Sequence, residues 1–171
     1  RLNSVRHGSN ASRCRRSRSN RPSTTFNAST AWNVMVWTQG QIVLAQLPPA
    51  GYERVLADGP DLRIAVTSRG SGPVTQNESG LRLSGRWEFA SGVAHSHWLL
   101  VHCRIQGEND RHVGAMVPRE RIEIEESWHV LGLRATGSHA VRIHDAPLEP
   151  TDLYELDGPP SESAPHHSRL P

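Results

Sequence analysis

Short segments in which apolar and polar residues alternate follow one another through the middle of this 171-residue chain. They occur at residues 62–67, 81–89, 97–105, 113–117, 121–125 and 139–143, with turn-forming residues between them. Alternation with a period of two indicates strands that bury one face, and regular spacing of short strands is typical of a sandwich or barrel. The sequence therefore predicts a mainly β domain over residues 60–150.

One helix is predicted before these strands, over residues 31–47. Apolar and amide side chains recur there every three or four residues, Ser29 or Thr30 can cap its start, and a proline pair ends it. A further helical turn is predicted at residues 52–56. The predicted helical segment thus covers residues 31–58, and its Gly40 suggests close packing against another element.

The two ends of the chain contain few large apolar side chains. Residues 1–30 are rich in serine and arginine, and residues 151–171 are rich in proline and serine. Neither end can bury enough apolar surface to offset the entropy of ordering the chain. We expect a disordered leader at 1–30 and a disordered tail at 151–171, although the arginines of the leader leave open an RNA-binding or targeting arm.

Charge and cysteine content narrow the class of protein. The net charge is only +2 and the arginines cluster near the start, so the rest is mildly acidic and no nucleic-acid partner is expected there. The two cysteines, Cys14 and Cys103, do not form a disulfide framework pattern, which favours a cytoplasmic location. No apolar run reaches the roughly 18 residues that cross a bilayer, so no membrane partner is expected.

Two blocks of sequence are more specific. The first is LSGRWEFASG at residues 83–92, followed by AHSHW at residues 94–98, and the second is WHVLGLRATGSH at residues 128–139. Together they resemble the middle domain of the acyl-CoA dehydrogenase superfamily. They are most similar to its flavin-dependent monooxygenase branch, which hydroxylates aromatic compounds or oxidises sulfur compounds. The resemblance covers residues 31–150.

This resemblance implies a β-barrel middle domain, preceded by the last helix of an N-terminal helical domain. It also implies a flavin cofactor, FAD or FMN, a small-molecule substrate, a homo-tetramer and possibly a flavin reductase as partner. The family's C-terminal helical bundle is missing here, so we interpret the chain as a fragment, and whether it is an enzyme alone stays open.

The function that the resemblance implies is a flavin-dependent oxidoreductase. The first reading is a monooxygenase that uses reduced flavin and O2 on an aromatic or heteroatom-containing small molecule. The alternatives are an acyl-CoA dehydrogenase proper and a truncated, non-catalytic flavin-binding or interaction module.

The candidate cofactor-binding residues at the end of the first block are Phe89, Ala90, Ser91 and Gly92. A flavin ring is a flat, apolar plate with a polar edge, so its site needs an apolar wall, a hydroxyl or N–H group, and glycine for close approach. In an extended strand Phe89 and Ser91 would share one face. By resemblance, Phe89 lies along the flavin and Ser91 meets its N5 or O4. The alternative is a strand end with a serine turn and a core phenylalanine.

Other polar residues give weaker signals. Arg134 is a further cofactor-binding candidate, which would pair with a phosphate or carboxylate, whereas Thr136 and Ser138 are interpreted as turn hydroxyls. His95 is a candidate for the flavin or substrate edge by resemblance. A metal site with His97 is disfavoured because no third ligand follows at a suitable spacing.

Overall fold

The structure is a computed structural model that describes residues 27–107 and 111–156. Predictions for the leader up to residue 26, which includes Cys14, and for residues 157–171 lie outside the described residues. Two helices come first, α1 (Ala28–Leu44) and α2 (Pro49–Leu56). The strands that follow are β1 (Ile64–Thr67), β2 (Arg69–Ser71), β3 (Pro73–Asn77), β4 (Gly80–Ala90), β5 (Trp98–Ile105), β6 (His112–Pro118), β7 (Glu123–Glu125), β8 (His139–Leu148) and β9 (Leu153–Glu155).

Helix α1 begins three residues before its predicted start. The side chain of Asn27 accepts a hydrogen bond from the backbone N–H of Ser29 at 3.0 Å, so Asn27 is the cap instead of Ser29 or Thr30. The leader boundary predicted at residue 30 is therefore wrong for residues 28–30. Helix α2 begins at Pro49. The first residues of a helix have N–H groups without an intrahelical partner, so proline, which lacks an N–H, is tolerated there.

The apolar side chains that recur along α1 and predicted the helix are not all buried, since Trp32 and Met35 are exposed. The buried positions carry three small or polar residues and two apolar ones, Ser29, Asn33, Gly40, Val36 and Leu44. At Gly40 the helix lies against β1, where an added Cβ would be 2.5 Å from the carbonyl oxygen of Ile64. The close packing expected at Gly40 is confirmed. Because the helix contacts β1 at Gly40, the face of α1 that contains this glycine is buried, and that face is not the most hydrophobic one.

The described strands form one nine-stranded mixed sheet with the order β7-β8-β4-β3-β5-β6-β9. Strand β1 pairs in parallel with β5, and β2 pairs with β4. The mainly β prediction is confirmed. The resemblance implied a barrel, and in the described part of the chain the strand order is an open path from β7 to β9.

Two segments predicted as loop or tail are strands. Residues 68–73 contain β2 and the start of β3, and their glycines and exposed side chains give no alternating pattern. The tail boundary at residue 151 is wrong as well, because β9 pairs with β6. Its Tyr154 is buried over Gly114, and Leu153 packs against the core, so this short segment is part of the sheet.

Two hydrophobic clusters lie on opposite faces of β5 and β6. Leu99, Val101 and Cys103 point into the cluster that β4 and β8 complete. Leu100, Trp98 and Met116 face the other cluster, which the two helices cover. This double burial explains why β5 reads as a nearly continuous apolar run. No helix in the described ranges is long and apolar enough to cross a bilayer.

Strand β4 is anchored by a fully buried tryptophan. The indole N–H of Trp87 donates to the carbonyl oxygen of His102 at 2.8 Å. Gly72 and Gly85 leave room for its ring, since a Cβ at either position would lie 2.7 Å from it. The end of β4, which carries the candidate residues, is therefore held in place from within the core.

Candidate functional site

The candidate segment begins with a bulge at the end of β4. Residues Leu83, Gly85 and Trp87 alternate inward, but the pairing with β8 shifts register between Trp87 and Ala90. Phe89 has a φ of 58°, and its side chain is 47% exposed although parity would place it in the core. Bulges re-aim side chains and are common beside active sites.

This geometry corrects the premise that Phe89 and Ser91 share one face of an extended strand. The strand ends at Ala90, and the left-handed backbone at Phe89 turns the ring to the surface while Ser91 is only 6% exposed. The alternative of a core phenylalanine is wrong for the same reason. Ala90 is fully buried in the core, so only its backbone can face a ligand.

The exposed ring of Phe89 is held between two side chains. Trp128 meets it edge to face, with ring centroids 6.0 Å apart and an interplanar angle of 88°. The guanidinium group of Arg69 lies 5.5 Å from the centroid of the Phe89 ring. Both contacts are of stabilising types, so the ring is placed by specific neighbours.

Trp128 connects Phe89 to the second sequence block. Its indole N–H donates to the carbonyl oxygen of Leu133 at 3.1 Å. Leu133 has a φ of 54° and precedes a short 3-10 helix at Arg134–Thr136, so the same tryptophan links two non-glycine residues in the left-handed region. Such backbone strain is concentrated at functional sites.

The two blocks meet directly through hydrogen bonds. The N–H of Gly92 donates to the carbonyl oxygen of Thr136 at 2.8 Å, and the hydroxyl oxygens of Ser91 and Ser138 are 2.7 Å apart. Ser138 is also 2.7 Å from the hydroxyl of Thr136, and all three side chains are buried. Trp32 on α1 donates its indole N–H to Ser91 at 3.1 Å. The hydroxyls interpreted as local turn groups thus join three separate segments.

Helix α1 contributes two further polar groups. Gly92 has a φ of 71°, and a Cβ there would lie 2.8 Å from the indole nitrogen of Trp37. That indole nitrogen and the amide oxygen of Asn33 are buried and have no hydrogen-bond partner among the residues that the structure describes. Asn33 is fixed by its amide N–H, which donates to the carbonyl oxygen of Ala135 at 3.4 Å.

One donor, on Trp37 beside Gly92, and one acceptor, on Asn33 beside Ala135, are therefore buried without a partner among the described residues. A flavin ring has both hydrogen-bond acceptors and an N–H donor along its polar edge, so this set of groups fits a flavin. No sequence signal singled out Asn33 and Trp37. The only signal available was their four-residue spacing on a helix, which places both on one face.

The remaining candidates lie around this cluster. Arg134 is exposed on the 3-10 helix, and within residues 27–107 and 111–156 its side chain makes no hydrogen bond or ion pair. His95 is also exposed, and its carbonyl oxygen accepts from the side chain of Arg63 at 2.6 Å. His97 accepts a hydrogen bond from the backbone N–H of Arg63 at 3.1 Å, which is a structural role.

Metal-binding and thiol chemistry gain no support from the geometry. No group of three or more metal-ligating side chains comes together within the described ranges. Burial, and then the charge of His112, lowers the pKa of His102. Burial raises the pKa of the Cys103 thiol to about 12, so this thiol is not a reactive nucleophile.

The fold described above is shared with flavin-dependent monooxygenases that have an acyl-CoA-dehydrogenase-like fold. No protein-family model matches the chain. Relatives and solved structures do, and they are oxygenases. The chain is 33% identical over 140 residues to a pigment production hydroxylase of Rhodococcus erythropolis, covering 78% of this chain and 36% of the relative. It is 34% identical over 124 residues to the oxygenase component of an FADH2-dependent resorcinol hydroxylase of Rhizobium sp. This match covers 69% of this chain and 30% of the relative.

Solved structures give the same result. XiaF from Streptomyces sp., in complex with FADH2 and glycerol, matches 75% of this chain and 33% of its own, with a TM-score of 0.71 and 26% identity. The 3-HSA hydroxylase from Rhodococcus sp. RHA1 matches 74% of this chain and 34% of its own, with a TM-score of 0.68 and 26% identity. The chain spans about a third of the length of the curated relatives it matches.

Proposed function

We propose that this segment is the flavin-facing part of a monooxygenase that uses reduced flavin and O2 to hydroxylate a small aromatic molecule. The observation that carries the proposal is the convergence of the two sequence blocks around Phe89. The two blocks contain an aromatic ring turned out of the core at Phe89 and a buried hydroxyl at Ser91. Two buried polar groups that lack partners among the described residues, on Trp37 and Asn33, lie against Gly92 and Ala135 of these blocks. This combination of an apolar wall and a few polar groups is what a flat heterocycle requires.

Each of these residues has a separate task in the proposed site. Phe89 supplies the apolar wall, and Ser91 supplies a hydroxyl oxygen at the polar edge. Trp37 and Asn33 place a buried donor and a buried acceptor, both without partners within the described residues, behind Gly92 and Ala135. Arg134, exposed and free of ion pairs within the described residues, holds a phosphate of the cofactor.

The reaction places further demands on the site. When bound, reduced flavin supplies the two electrons with which one oxygen atom of O2 enters the substrate as a hydroxyl group and the other leaves as water. His95 is exposed next to Gly92 and stays our candidate for the substrate edge. Water must be kept from the ring, and Trp128 and Trp32 provide bulky apolar cover near it.

The partners follow from the same proposal. Two of the relatives are named as an oxygenase component and an oxygenase subunit, which supports a separate flavin reductase as the source of reduced cofactor. We also retain the homo-tetramer as part of this proposal. FAD is our first choice of cofactor, because the resorcinol hydroxylase is FADH2-dependent and the structure of XiaF contains FADH2.

Two alternative functions are also tested. An acyl-CoA dehydrogenase is disfavoured because the relatives described above are named as hydroxylases or monooxygenases. The other alternative is a module that binds flavin without turnover.

The experiment is an anaerobic titration of the chain with reduced FAD and reduced FMN, followed by protein fluorescence. We expect F89A to weaken binding about tenfold, since stacking on an aromatic ring contributes about 1 kcal/mol or more. R134Q should weaken it by a similar factor. R121Q removes another exposed arginine, beside β7, and should have no effect. Absence of binding by the unaltered chain would refute the proposal.

Turnover separates the alternatives. The chain is supplied with a flavin reductase, a nicotinamide reductant, ¹⁸O2 and a phenol such as resorcinol. One ¹⁸O atom in the product supports the monooxygenase, whereas binding without product supports the non-catalytic module. Bleaching of oxidised flavin by an acyl-CoA supports the dehydrogenase.

A further inference from the structure

A histidine at the start of β8 holds the segment that carries Trp128. The Nδ1 atom of His139 accepts the backbone N–H groups of Ser127 and Trp128, each at 3.2 Å. A backbone N–H can only donate a hydrogen bond, so this ring nitrogen is unprotonated and acts as the acceptor. The direction of both contacts is therefore fixed by the donors themselves, and two consecutive amides share one imidazole lone pair.

The segment needs such an acceptor because it lies beyond the sheet. Pairing between β7 and β8 ends at Glu125 and Ala140, and residues 126–130 belong to neither a helix nor a strand. The backbone N–H of Ala140 donates to the hydroxyl of Ser127 at 2.9 Å, which adds a second link to β8. Side-chain groups at this point thus replace the strand hydrogen bonds that the backbone no longer makes.

Apolar burial contributes little to the position of this segment. Leu131 is fully exposed, Leu133 is also exposed, and the side chain of Trp128 is only partly buried. The contacts that fix the backbone of Trp128 are therefore polar, and His139 supplies the one that is made to its N–H.

The same histidine faces the end of β4. Its backbone pairs with Ala90, the residue that follows Phe89, just beyond the bulge. Trp128 in turn meets the Phe89 ring edge to face, with ring centroids 6.0 Å apart. His139 therefore contacts both segments that carry this aromatic pair, one through its backbone and the other through its ring.

We propose that His139 is a positioning residue for the flavin site, which holds Trp128 against Phe89 through its Nδ1 acceptor and so preforms the aromatic wall. This inference rests on the proposed function, because it assumes that the flavin ring lies along Phe89. A wall that is ordered before binding does not have to be ordered by the ligand, and this preorganisation strengthens binding.

The test replaces His139 by residues that differ in where they offer an acceptor. In H139N the amide oxygen lies the same number of bonds from Cα as Nδ1 does, so it can accept from the same two N–H groups. In H139Q the oxygen lies one bond further away, and H139A has no acceptor. H144A is the matched control, since it removes an exposed histidine of the same strand that pairs with Glu123 at 2.9 Å.

The first readout needs no flavin. Hydrogen exchange of the Trp128 backbone amide is measured by NMR on the full chain and its variants. Exchange should be about fivefold faster in H139A and H139Q, as expected for the loss of one hydrogen bond. H139N and H144A should stay within about twofold of the unaltered chain.

The second readout is the affinity for reduced flavin, measured anaerobically. H139A and H139Q should bind about fivefold more weakly, whereas H139N and H144A should retain the affinity. The loss in H139A should disappear when W128A is already present, because the proposed effect passes through Trp128. A general effect of His139 on stability would instead persist in the W128A background.

The outcomes are distinguishable. Unchanged Trp128 exchange in H139A, or exchange in H139N as fast as in H139A, would overturn the inference. Faster exchange with unchanged flavin affinity would overturn the link between His139 and the flavin site but not the proposed function. Failure of the unaltered chain to bind reduced flavin would overturn the proposed function and the role of His139 in it, while the exchange data would still decide whether His139 holds Trp128. If H139A does not fold, the comparison of H139N with H139Q carries the test.

Discussion

Replacing Phe89 by glycine should give a more stable protein than replacing it by alanine. At an ordinary strand position the order is reversed, because glycine loses more conformational entropy on folding and costs about 0.5–1 kcal/mol relative to alanine. Phe89, however, has a φ of 58° at the end of β4. A residue with a Cβ in this left-handed region pays about 1–2 kcal/mol, which glycine does not.

The magnitude follows from these two terms. Both variants lose the same ring contacts, the edge-to-face pair with Trp128 and the cation–π contact with Arg69. Their difference therefore contains only the backbone terms, and the relief of about 1–2 kcal/mol outweighs the entropy cost of about 0.5–1 kcal/mol. F89G should unfold with a free energy about 1 kcal/mol higher than F89A.

Urea unfolding of the two variants measures this difference directly, provided that their m-values agree. Glu88 is the matched control, since it is the preceding residue of β4 and its φ is not positive. E88A should be more stable than E88G, the opposite order. If F89A equals or exceeds F89G in stability, the bulge geometry and the argument built on it are wrong.

Two further predictions concern the sheet. An added Cβ at Gly114 would overlap the ring of Tyr154, so G114A should lower the free energy of unfolding by about 2 kcal/mol. The decrease should be much smaller when Y154A is already present. An equal decrease in both backgrounds would contradict the assigned β6–β9 pairing. Burial raises the pKa of the Cys103 thiol to about 12 from an ordinary value of 9.0, so the thiol ionises first in the unfolded chain. The contribution of this group to the free energy of unfolding should therefore be fully present below about pH 9 and decrease as the pH rises towards 12. Unfolding measured across that range should show a smaller decrease in C103A, and an identical decrease would exclude this thiol as a cause.

Most of the fold could be predicted because the pattern of side chains follows the pattern of burial. Strands β4, β5, β6 and β8 alternate or are apolar throughout, and the structure buries the corresponding side chains. Strands β2, β3 and β9 were missed, since none of the three has a clear alternating hydrophobic pattern of its own. Glycines allow β2 to lie close to β4, and β9 pairs with β6 where Tyr154 packs over Gly114.

The candidate site was predictable in its residues but not in its geometry. Phe89 and Ser91 were found by motif, yet their two-residue spacing indicated a shared face that the bulge removes. A change of register depends on the partner strand, so no pattern within β4 could reveal it. The contributions of Trp32, Asn33 and Trp37 were hidden for a similar reason, as they depend on how α1 packs.

The backbone geometry at Phe89 and Leu133 is a stronger argument for a ligand-binding site than either block of sequence. Three non-glycine residues have positive φ angles, Phe89, Leu133 and Asp145, within the part of the chain that the structure describes. Asp145 is a residue type that tolerates this conformation, and its N–H is satisfied by the hydroxyl of Ser84, so it requires no functional explanation. Phe89 and Leu133 are large, apolar and exposed, and the same Trp128 contacts both. Because strain and exposure both cost free energy and no gain in core burial offsets them, their coincidence at one place is explained best by a flat apolar ligand that covers them.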